Sequence, residues 1–265
     1  MQPPNLKSIQ DFAVEAAVAA GEITLRYFQT DLTPELKADQ TPVTIADREA
    51  EQFLRTRIAA AFPAHSILGE EFGETPGSGT SSESGRSPAR WIIDPIDGTF
   101  SFIAGVPLYS VLIGFEWAGE LVAGVIHLPA LKETIHAARG EGCRWNGKPA
   151  RVNDISQLSQ ARLLHGGVKS IYKHGRGPAF ERLRDGCKTD RSWCDAYAYA
   201  LVATGRAEIA LDPIMSLWDV AALVPILTEA GGKITDWSGG TAKRHQETIA
   251  TNGRLHDEVI AAVKR

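Results

Sequence analysis

Two aspartates stand three residues apart in the segment WIIDPIDGTFSFIAG, residues 91–105, where an apolar run meets a glycine turn. One interpretation is a strand followed by an Asx turn, in which Asp97 accepts backbone hydrogen bonds. The other is chemical, because Asp94 and Asp97 at the carboxyl end of a strand can bind hard cations through oxygen. A helix beginning beyond Thr99 would direct the backbone N–H groups of Gly98 and Thr99 at a phosphate. The Thr99 hydroxyl could then orient a water molecule.

Three further carboxylates are candidates for the same site. Glu70 and Glu71 follow an apolar strand in SILGEEFG and could converge on the aspartates, although adjacent glutamates are ordinarily solvated surface. Asp219, in LWDVAALVPILTEAGG, has a competing explanation as a helix N-cap. The two roles are compatible if one oxygen caps the helix and the other binds a cation. A site of Asp, Glu and carbonyl oxygens suits Mg²⁺ rather than zinc.

Other chemical motifs are absent from the sequence. The three cysteines, Cys143, Cys187 and Cys194, form no Cys-x-x-Cys pair, which argues against a zinc knuckle or a disulfide framework. The histidines show no ligand spacing such as His-x-x-x-His. No Gly-x-x-x-x-Gly-Lys loop and no Gly-x-Ser-x-Gly elbow occurs, so P-loop nucleotide hydrolysis and serine esterase chemistry have no support.

Composition excludes further classes of protein. The chain has 265 residues, is 43% hydrophobic and carries a net charge of −4. A nucleic-acid surface would show a basic patch, so we expect no nucleic-acid partner. Asp11, Glu15 and Glu22 interrupt the N-terminal segment, which excludes a signal-peptide core. No run approaches the roughly 18 apolar residues of a membrane span. We therefore expect a soluble, cytoplasmic protein without a membrane partner.

Hydrophobic periodicity and turn residues predict mixed helices and strands in layers, not a regular βαβ succession. The predicted elements are a helix over 6–29, a helix from about 47 that Pro63 ends, a strand at 66–73, a surface loop at 74–89, two strands over 109–127 joined at Gly119, a hairpin over 133–152, a helix and strand over 197–212, and an apolar helix from Asp219 to Gly231.

Together, LGEEFG, WIIDPIDGTFSFIAG and LWDVAALVPILTEAGG resemble in order and spacing the three signatures of the inositol monophosphatase family. The resemblance covers nearly the whole chain. It implies an α/β fold, the five-layer αβαβα sandwich of the inositol monophosphatase and fructose-1,6-bisphosphatase type. It also implies one domain over 1–265, with a metal-site half over about 1–150 and a C-terminal half over about 151–265. The implied activity is Mg²⁺-dependent, Li⁺-sensitive phosphomonoester hydrolysis by a homodimer.

The resemblance also assigns metal ligands residue by residue. Glu70, Asp94 and the Ile96 carbonyl would hold the first metal ion, and Asp94, Asp97 and Asp219 the second. Glu70 would also contact a third ion through water and take part in catalysis. The cofactor is therefore expected to be two or three Mg²⁺ ions per site, with Mn²⁺ as an alternative.

The remaining implied roles concern phosphate and water. Asp97, Gly98 and Thr99 would bind the phosphate. Thr99, supported by Asp47, would orient the attacking water. Lys37 would lie on a mobile loop that closes over the site.

The expected partner is a small phosphorylated metabolite, and the segment 187–219 bears on which one. It most resembles the histidinol-phosphate phosphatase branch of the family, with Arg191, Asp195 and Asp212 as substrate-binding residues. Asp195, Tyr197 and Tyr199 fit that branch, whereas the usual small or glycine positions are occupied by Trp193, Cys194, Ala196 and Ala198. Acidic residues at 195 and 212 would suit the cationic amino group of histidinol phosphate. The alternative role of Asp195 is to cap the following helix.

Two other functions remain open at this point. One is an inositol-1-phosphate phosphatase, or a broader phosphatase acting on sugar or nucleotide phosphates. The other is a binding protein that keeps the fold and regulates RNA or transcription machinery. The presence of every expected metal ligand and the lack of a basic patch count against the second.

Overall fold

Helices and strands follow one another irregularly along the chain, and the computed structural model describes them for residues 4–37, 42–78, 87–241 and 247–264. The helices are α1 Leu6–Leu25, α2 Ile45–Ala61, α3 Thr99–Ile103, α4 Val168–Lys173, α5 Gly177–Gly186, α6 Asp195–Ala203, α7 Leu217–Ala221, α8 Leu223–Glu229 and α9 His256–Lys264. The strands are β1 Glu35–Leu36, β2 Pro42–Val43, β3 Ser66–Gly69, β4 Gly73–Thr75, β5 Ala89–Asp97, β6 Ser110–Trp117, β7 Glu120–Leu128, β8 Glu133–Ala138, β9 Gly142–Trp145, β10 Lys148–Ala150, β11 Arg162–His165, β12 Thr189–Arg191, β13 Ile209–Asp212, β14 Lys233–Thr235 and β15 Thr248–Thr251.

In the described parts of the chain, the first large sheet has eight strands in the order β10-β9-β8-β7-β6-β5-β3-β4. Only β3 and β5 pair in parallel, and the other neighbours are antiparallel. Helices α1 and α2 pack on one face through a core that includes Leu54 and Trp91. Helices α7 and α8 contact β5, β6 and β7 from the other face. Because both faces are covered, β6 is apolar and buried over nearly its whole length.

The second large sheet has five strands in the order β12-β11-β13-β15-β14. Its first three strands are parallel, and the pairs that include β15 are antiparallel. Helix α6 packs on its inner face together with α8. Helices α5 and α9 cover the outer face through residues such as Phe180 and Val259. The layers therefore run helix, sheet, helix, sheet, helix, which confirms the predicted αβαβα fold.

Several element boundaries differ from those predicted. Helix α1 ends at Leu25 rather than at residue 29, because the chain tightens into i→i−3 bonds such as Arg26 N to the Ile23 carbonyl, 3.2 Å. Helix α2 begins at Ile45, since the Thr44 side chain accepts a hydrogen bond from the amide of Ala46, 3.1 Å.

The predicted apolar helix after Trp218 is two short helices, α7 and α8, which meet at Ala222. Asp219 is not the N-cap of α7. Ser216 has that position, and Asp219 is the N3 partner in a capping box, accepting from the Ser216 amide at 2.6 Å. The predicted loop at 74–89 begins later than expected, because Gly73–Thr75 forms β4, and residues 79–86 of it lie outside the described residues.

None of the helices in the described parts of the chain is long and apolar enough to cross a lipid bilayer.

Candidate active site

A cleft of about 200 Å³ brings together most of the residues that the sequence singled out. Its lining residues are Pro42, Glu70, Asp94, Ile96, Asp97, Gly98, Thr99, Phe100, Asp195, Asp212, Ile214, Met215 and Asp219. A larger cavity of about 490 Å³ lies beside α8 and β14, but it contains none of the predicted site residues. Chemistry rather than size therefore identifies the smaller cleft as the candidate site.

Strand β5 positions the first two carboxylates through an irregularity in its pairing with β6. Asp94 pairs with Leu112 and Asp97 with Ser110, so three steps on β5 match two on β6. Such a bulge re-aims side chains next to it. Pro95 lies within it and has no N–H to donate to the ladder. Oδ1 of Asp94 accepts from the Ile96 amide, 3.0 Å, which fixes the first carboxylate at the end of the strand.

Gly98 is required at the next position for two reasons. Its φ of +84° is left-handed, and a Cβ there would lie 2.7 Å from Oδ2 of Asp195. Glycine thus lets the chain turn from β5 into α3 beneath the Asp195 carboxylate. The hydroxyl of Thr99, the first residue of α3, donates to the Ile96 carbonyl at 3.2 Å.

Asp97 connects the first sheet to helix α6, which lies between the two sheets. Its Oδ2 accepts from the Ser110 hydroxyl at 3.1 Å and from the Ala196 amide at 2.7 Å, which ties the start of α6 to β5. Asp195 is the first residue of α6 and has a φ of +55°, while Cys194 occupies the N-cap position. Asp195 therefore does not cap the helix, and its carboxylate faces the cleft.

The carboxylates of Asp94, Asp97 and Asp219 have oxygens within 4.8 Å of one another. Among the described residues, none of the ion pairs involves these three groups. Burial, and then repulsion from neighbouring carboxylates, raises the pKa of Asp94 and of Asp97 well above the usual range. Burial likewise raises the pKa of Asp219 to about 7. The cluster is therefore an unneutralised set of hard oxygen donors.

Glu70 lines the cleft and Glu71 does not. The Lys37 ammonium, one residue past β1, donates to Oε1 of Glu70 at 2.7 Å and to Oε1 of Glu71 at 2.6 Å. Burial raises the pKa of Glu71 to about 7. Both glutamates therefore pair with Lys37, but only Glu70 of the two lines the acidic cleft.

Asp47 lies close to the cleft but is held elsewhere. Its Oδ2 accepts from the Thr44 amide at 2.7 Å and the Thr44 hydroxyl at 2.6 Å. Burial raises its pKa to about 6, with Glu70 contributing repulsion. Within the described residues no hydrogen bond joins Asp47 to Thr99, because the capping box of α2 engages the carboxylate.

Of the three residues predicted to bind substrate, the structure places two in the cleft and one outside it. Asp195 and Asp212 line the cleft. Asp212 accepts from the Tyr199 hydroxyl at 3.1 Å, and burial followed by repulsion from Asp195 raises its pKa to about 8. Arg191 is exposed and outside the lining, because its guanidinium folds back onto the Asp190 carbonyl at 2.6 Å.

Four lining residues were missed from the sequence: Pro42, Phe100, Ile214 and Met215. The feature of the sequence that could have identified them is their position next to a predicted site residue. Phe100 directly follows Thr99, and Ile214 stands two residues after Asp212. Apolar residues in such turns are common, so the sequence alone did not distinguish them.

Comparison with known proteins shows which family and which solved structures this chain resembles. The sequence model of the inositol monophosphatase family matches residues 5–265. The chain is 43% identical over 253 residues to a histidinol-phosphatase of Chlorobaculum parvum, covering 95% of each. It is 32% identical to a fructose-1,6-bisphosphatase/inositol-1-monophosphatase of Thermotoga maritima, covering 96% of this chain and 94% of the other. The crystal structure of the extragenic suppressor protein suhB of Bartonella henselae superposes with a TM-score of 0.89 at 30% identity, covering 97% of this chain and 99% of that one.

Proposed function

Because the chain belongs to the inositol monophosphatase family and is a phosphatase of that family, we propose that its substrate is L-histidinol phosphate, which it would hydrolyse to L-histidinol and phosphate in histidine biosynthesis. The observation that carries this proposal is the presence of two cleft carboxylates, Asp195 and Asp212, in addition to the three that cluster. The similarity to a histidinol-phosphatase at 43% identity supports it independently.

The donor set fits a divalent metal ion. Asp94, Asp97 and Asp219 are carboxylates that repel one another and have no cationic partner among the described residues, so a cation that binds between them stabilises them. Glu70, Asp94 and the Ile96 carbonyl would hold one Mg²⁺, and Asp94, Asp97 and Asp219 a second. Bound metal ions of this kind lower the pKa of water and stabilise the attacking and leaving oxygens of an in-line displacement.

The chain's own groups orient the reactants. The amides of Gly98 and Thr99, at the turn from β5 into α3, would bind the phosphate oxygens. The Thr99 hydroxyl would orient the water whose oxygen forms the new bond to phosphorus, while the ester P–O bond breaks and the proton lost by that water is transferred to the leaving alcohol oxygen. Glu70 would take part in catalysis by contacting water in the cleft.

Asp195 and Asp212 would select the organic part of the substrate. Both carboxylates have raised pKa values because of burial, and Asp212 is also repelled by Asp195. An ammonium group between them would relieve that repulsion and lower both pKa values again. Histidinol phosphate carries such a group, and an inositol ring does not.

The alternative substrate is inositol 1-phosphate. The observation that favours it is the 32% identity to a fructose-1,6-bisphosphatase/inositol-1-monophosphatase over nearly the full length of both chains. This alternative uses the same clustered carboxylates and differs only in the role of the additional two.

The deciding experiment measures phosphate release with Mg²⁺ from histidinol phosphate and from inositol 1-phosphate, side by side. We expect a kcat/KM for histidinol phosphate at least 10-fold higher. The Asp195→Asn variant should reduce that preference by about 10-fold, as expected for the loss of one charged hydrogen bond. A preference for inositol 1-phosphate in the unmodified protein would overturn the substrate proposal.

A matched control is Asp154→Asn, since Asp154 is exposed and pairs with Arg254 at 2.8 Å outside the cleft. Its substrate preference should equal that of the unmodified protein. We also propose a homodimer, which sedimentation of the purified protein would test.

A further inference from the structure

The acidic cleft has an apolar side formed by large, exposed side chains. Phe100 is 75% exposed and Ile214 is 53% exposed, although both line the cleft. Met215, next to Ile214, is nearly buried and packs into the core between the sheets. Phe100 and Ile214 belong to none of the hydrophobic clusters among the described residues. Their apolar surface therefore contributes little to folding.

The fold nevertheless holds both residues at the reacting end of the cleft. Phe100 lies in the first turn of α3, directly after Thr99, where the left-handed turn at Gly98 sets the direction of the chain. Ile214 follows β13 by two residues, and the ring of Pro213 before it restricts the backbone of the connection. One residue therefore comes from the end of a strand of the first sheet and the other from the end of a strand of the second.

The cleft has carboxylates in one part and apolar side chains in another, and this arrangement fits an organic group that has both a cation and a flat ring. The carboxylates of Asp195 and Asp212 can accept hydrogen bonds from a cation, whereas Phe100 and Ile214 offer no hydrogen-bonding side-chain atom. A ring that carries hydroxyl groups on both faces would lose hydrogen bonds to water against these two side chains. A flat ring has no hydrogen-bonding groups on its faces, so it would lose none when a face contacts these side chains, and it would bury ring surface there.

We propose that Phe100 and Ile214 are specificity-determining residues that contact the organic group of the substrate and select flat rings, whose faces carry no hydrogen-bonding groups, over polyhydroxylated ones. This inference rests on the proposed function and goes beyond it by assigning the ring contact to residues outside the carboxylates. Ring contacts with an aromatic side chain and burial of a methylene surface are each worth a several-fold change in affinity. Because these contacts exist before and during the reaction, they act mainly on KM.

The test compares four phosphomonoesters that separate the two features. Histidinol phosphate has a flat ring and an ammonium group, and 2-phenylethyl phosphate has the ring alone. Ethanolamine phosphate has the ammonium group alone, and inositol 1-phosphate has neither. The variants are Phe100→Ala and Ile214→Ala, and the control is Val168→Ala, which removes an apolar side chain that is 45% exposed outside the cleft lining.

We expect each cleft variant to lower kcat/KM about 5- to 10-fold for the two esters with a flat ring, chiefly through KM. The values for ethanolamine phosphate and inositol 1-phosphate should change less than 2-fold, and Val168→Ala should change none of the four. An equal loss for all four esters, or no loss for any, would overturn the inference. Thermal unfolding of each variant would show whether an equal loss reflects misfolding, in which case Phe100→Leu and Ile214→Ser repeat the comparison.

The outcomes for the two proposals are separate. The substrate proposal fails if the unmodified protein does not prefer histidinol phosphate over inositol 1-phosphate. The ring-contact inference fails if the ratio of kcat/KM for 2-phenylethyl phosphate to kcat/KM for ethanolamine phosphate does not fall in Phe100→Ala and Ile214→Ala.

Discussion

The carboxylate of Glu208 and the carboxylates of the acidic cleft are both removed from water, yet their surroundings are opposite. Glu208 is fully buried and accepts from the Arg162 amide at 2.6 Å, from the Arg162 guanidinium at 2.6 Å and from the Asn153 amide at 2.6 Å. These donors hold the pKa of Glu208 below its usual range despite its burial. The chain itself supplies everything this ionised group needs.

The clustered carboxylates of Asp94, Asp97 and Asp219 have no such cationic partner among the described residues. Asp94 is as buried as Glu208, but its neighbours Glu70, Asp97 and Asp219 are acids and raise its pKa further. A group like Glu208 stabilises the fold, because its hydrogen bonds offset its desolvation. A group like Asp94 costs stability until a cation arrives from outside. Among the described residues, a cationic partner within the chain therefore distinguishes Glu208 from Asp94, Asp97 and Asp219.

The largest expected difference between the cleft carboxylates and Glu208 is in their effect on turnover. Asp94→Asn should lower kcat with Mg²⁺ by about 10³-fold, since metal ions contribute several kcal/mol to such reactions. The variant should stay folded, because it removes a repelled charge rather than a satisfied one. Phosphate release and circular dichroism measure the two. Asp154→Asn is the matched control, and near-normal turnover in Asp94→Asn would contradict the metal role.

The corresponding change in the satisfied group should affect stability instead. Glu208→Gln should lower the free energy of unfolding by about 3 kcal/mol, because an amide cannot replace three charge-assisted hydrogen bonds. Urea unfolding measures this loss, and the specific activity of the folded fraction should not change. Glu120→Gln, at an exposed ion pair with a 3.9 Å separation, serves as the control and should change stability by less than about 0.5 kcal/mol. Equal stability of both variants would refute the distinction.

Addition of Mg²⁺ should affect the stability of the Asp94 and Glu208 variants differently. At a Mg²⁺ concentration about 100-fold above its Kd, the unmodified protein should gain about 2.7 kcal/mol of stability over the protein in EDTA. Asp94→Asn should gain far less, and Glu208→Gln should gain as much as the unmodified protein. Urea titrations with and without Mg²⁺ measure these gains. The same gain in Asp94→Asn as in the unmodified protein would show that Mg²⁺ binds elsewhere.

The smallest expected effect is on pH dependence without metal. The pKa of Asp212 is raised to about 8 in the folded protein, so between pH 4 and 8 the folded state holds a proton that the unfolded state has lost. Stability should therefore fall as pH rises through this window. Because Asp212 is partly exposed, we expect a contribution of about 1 kcal/mol between pH 5.5 and 7.5, which Asp212→Asn should remove. Urea unfolding in EDTA at both pH values would test this, and parallel changes in the two proteins would contradict it.

Local signals in the sequence predicted a layered α/β architecture and made Glu70, Asp94, Asp97 and Asp219 candidates for one site, whereas the five layers and the metal-ligand roles came from the resemblance to the family. Each of these carboxylates stands at the edge of an apolar run, next to glycine, proline or the start of a helix. Such signals act through the backbone of a few neighbouring residues, so they survive in a single sequence without knowledge of the tertiary structure.

Other features depended on which side chains meet across the two sheets. Asp97 accepts from the amide of Ala196, 99 positions away, and Asp195 therefore faces Gly98 instead of capping α6. Arg191 turns away from the cleft for a local reason that residue type does not reveal, because its guanidinium donates to the carbonyl of the adjacent Asp190. Strand register, bulges and side-chain rotamers set these contacts, and none of them is encoded by spacing along the chain. The sequence by itself thus determined which residue types could form a phosphatase site, while only the tertiary structure decided that Asp195, Asp212, Phe100 and Ile214 share one cleft with the clustered carboxylates.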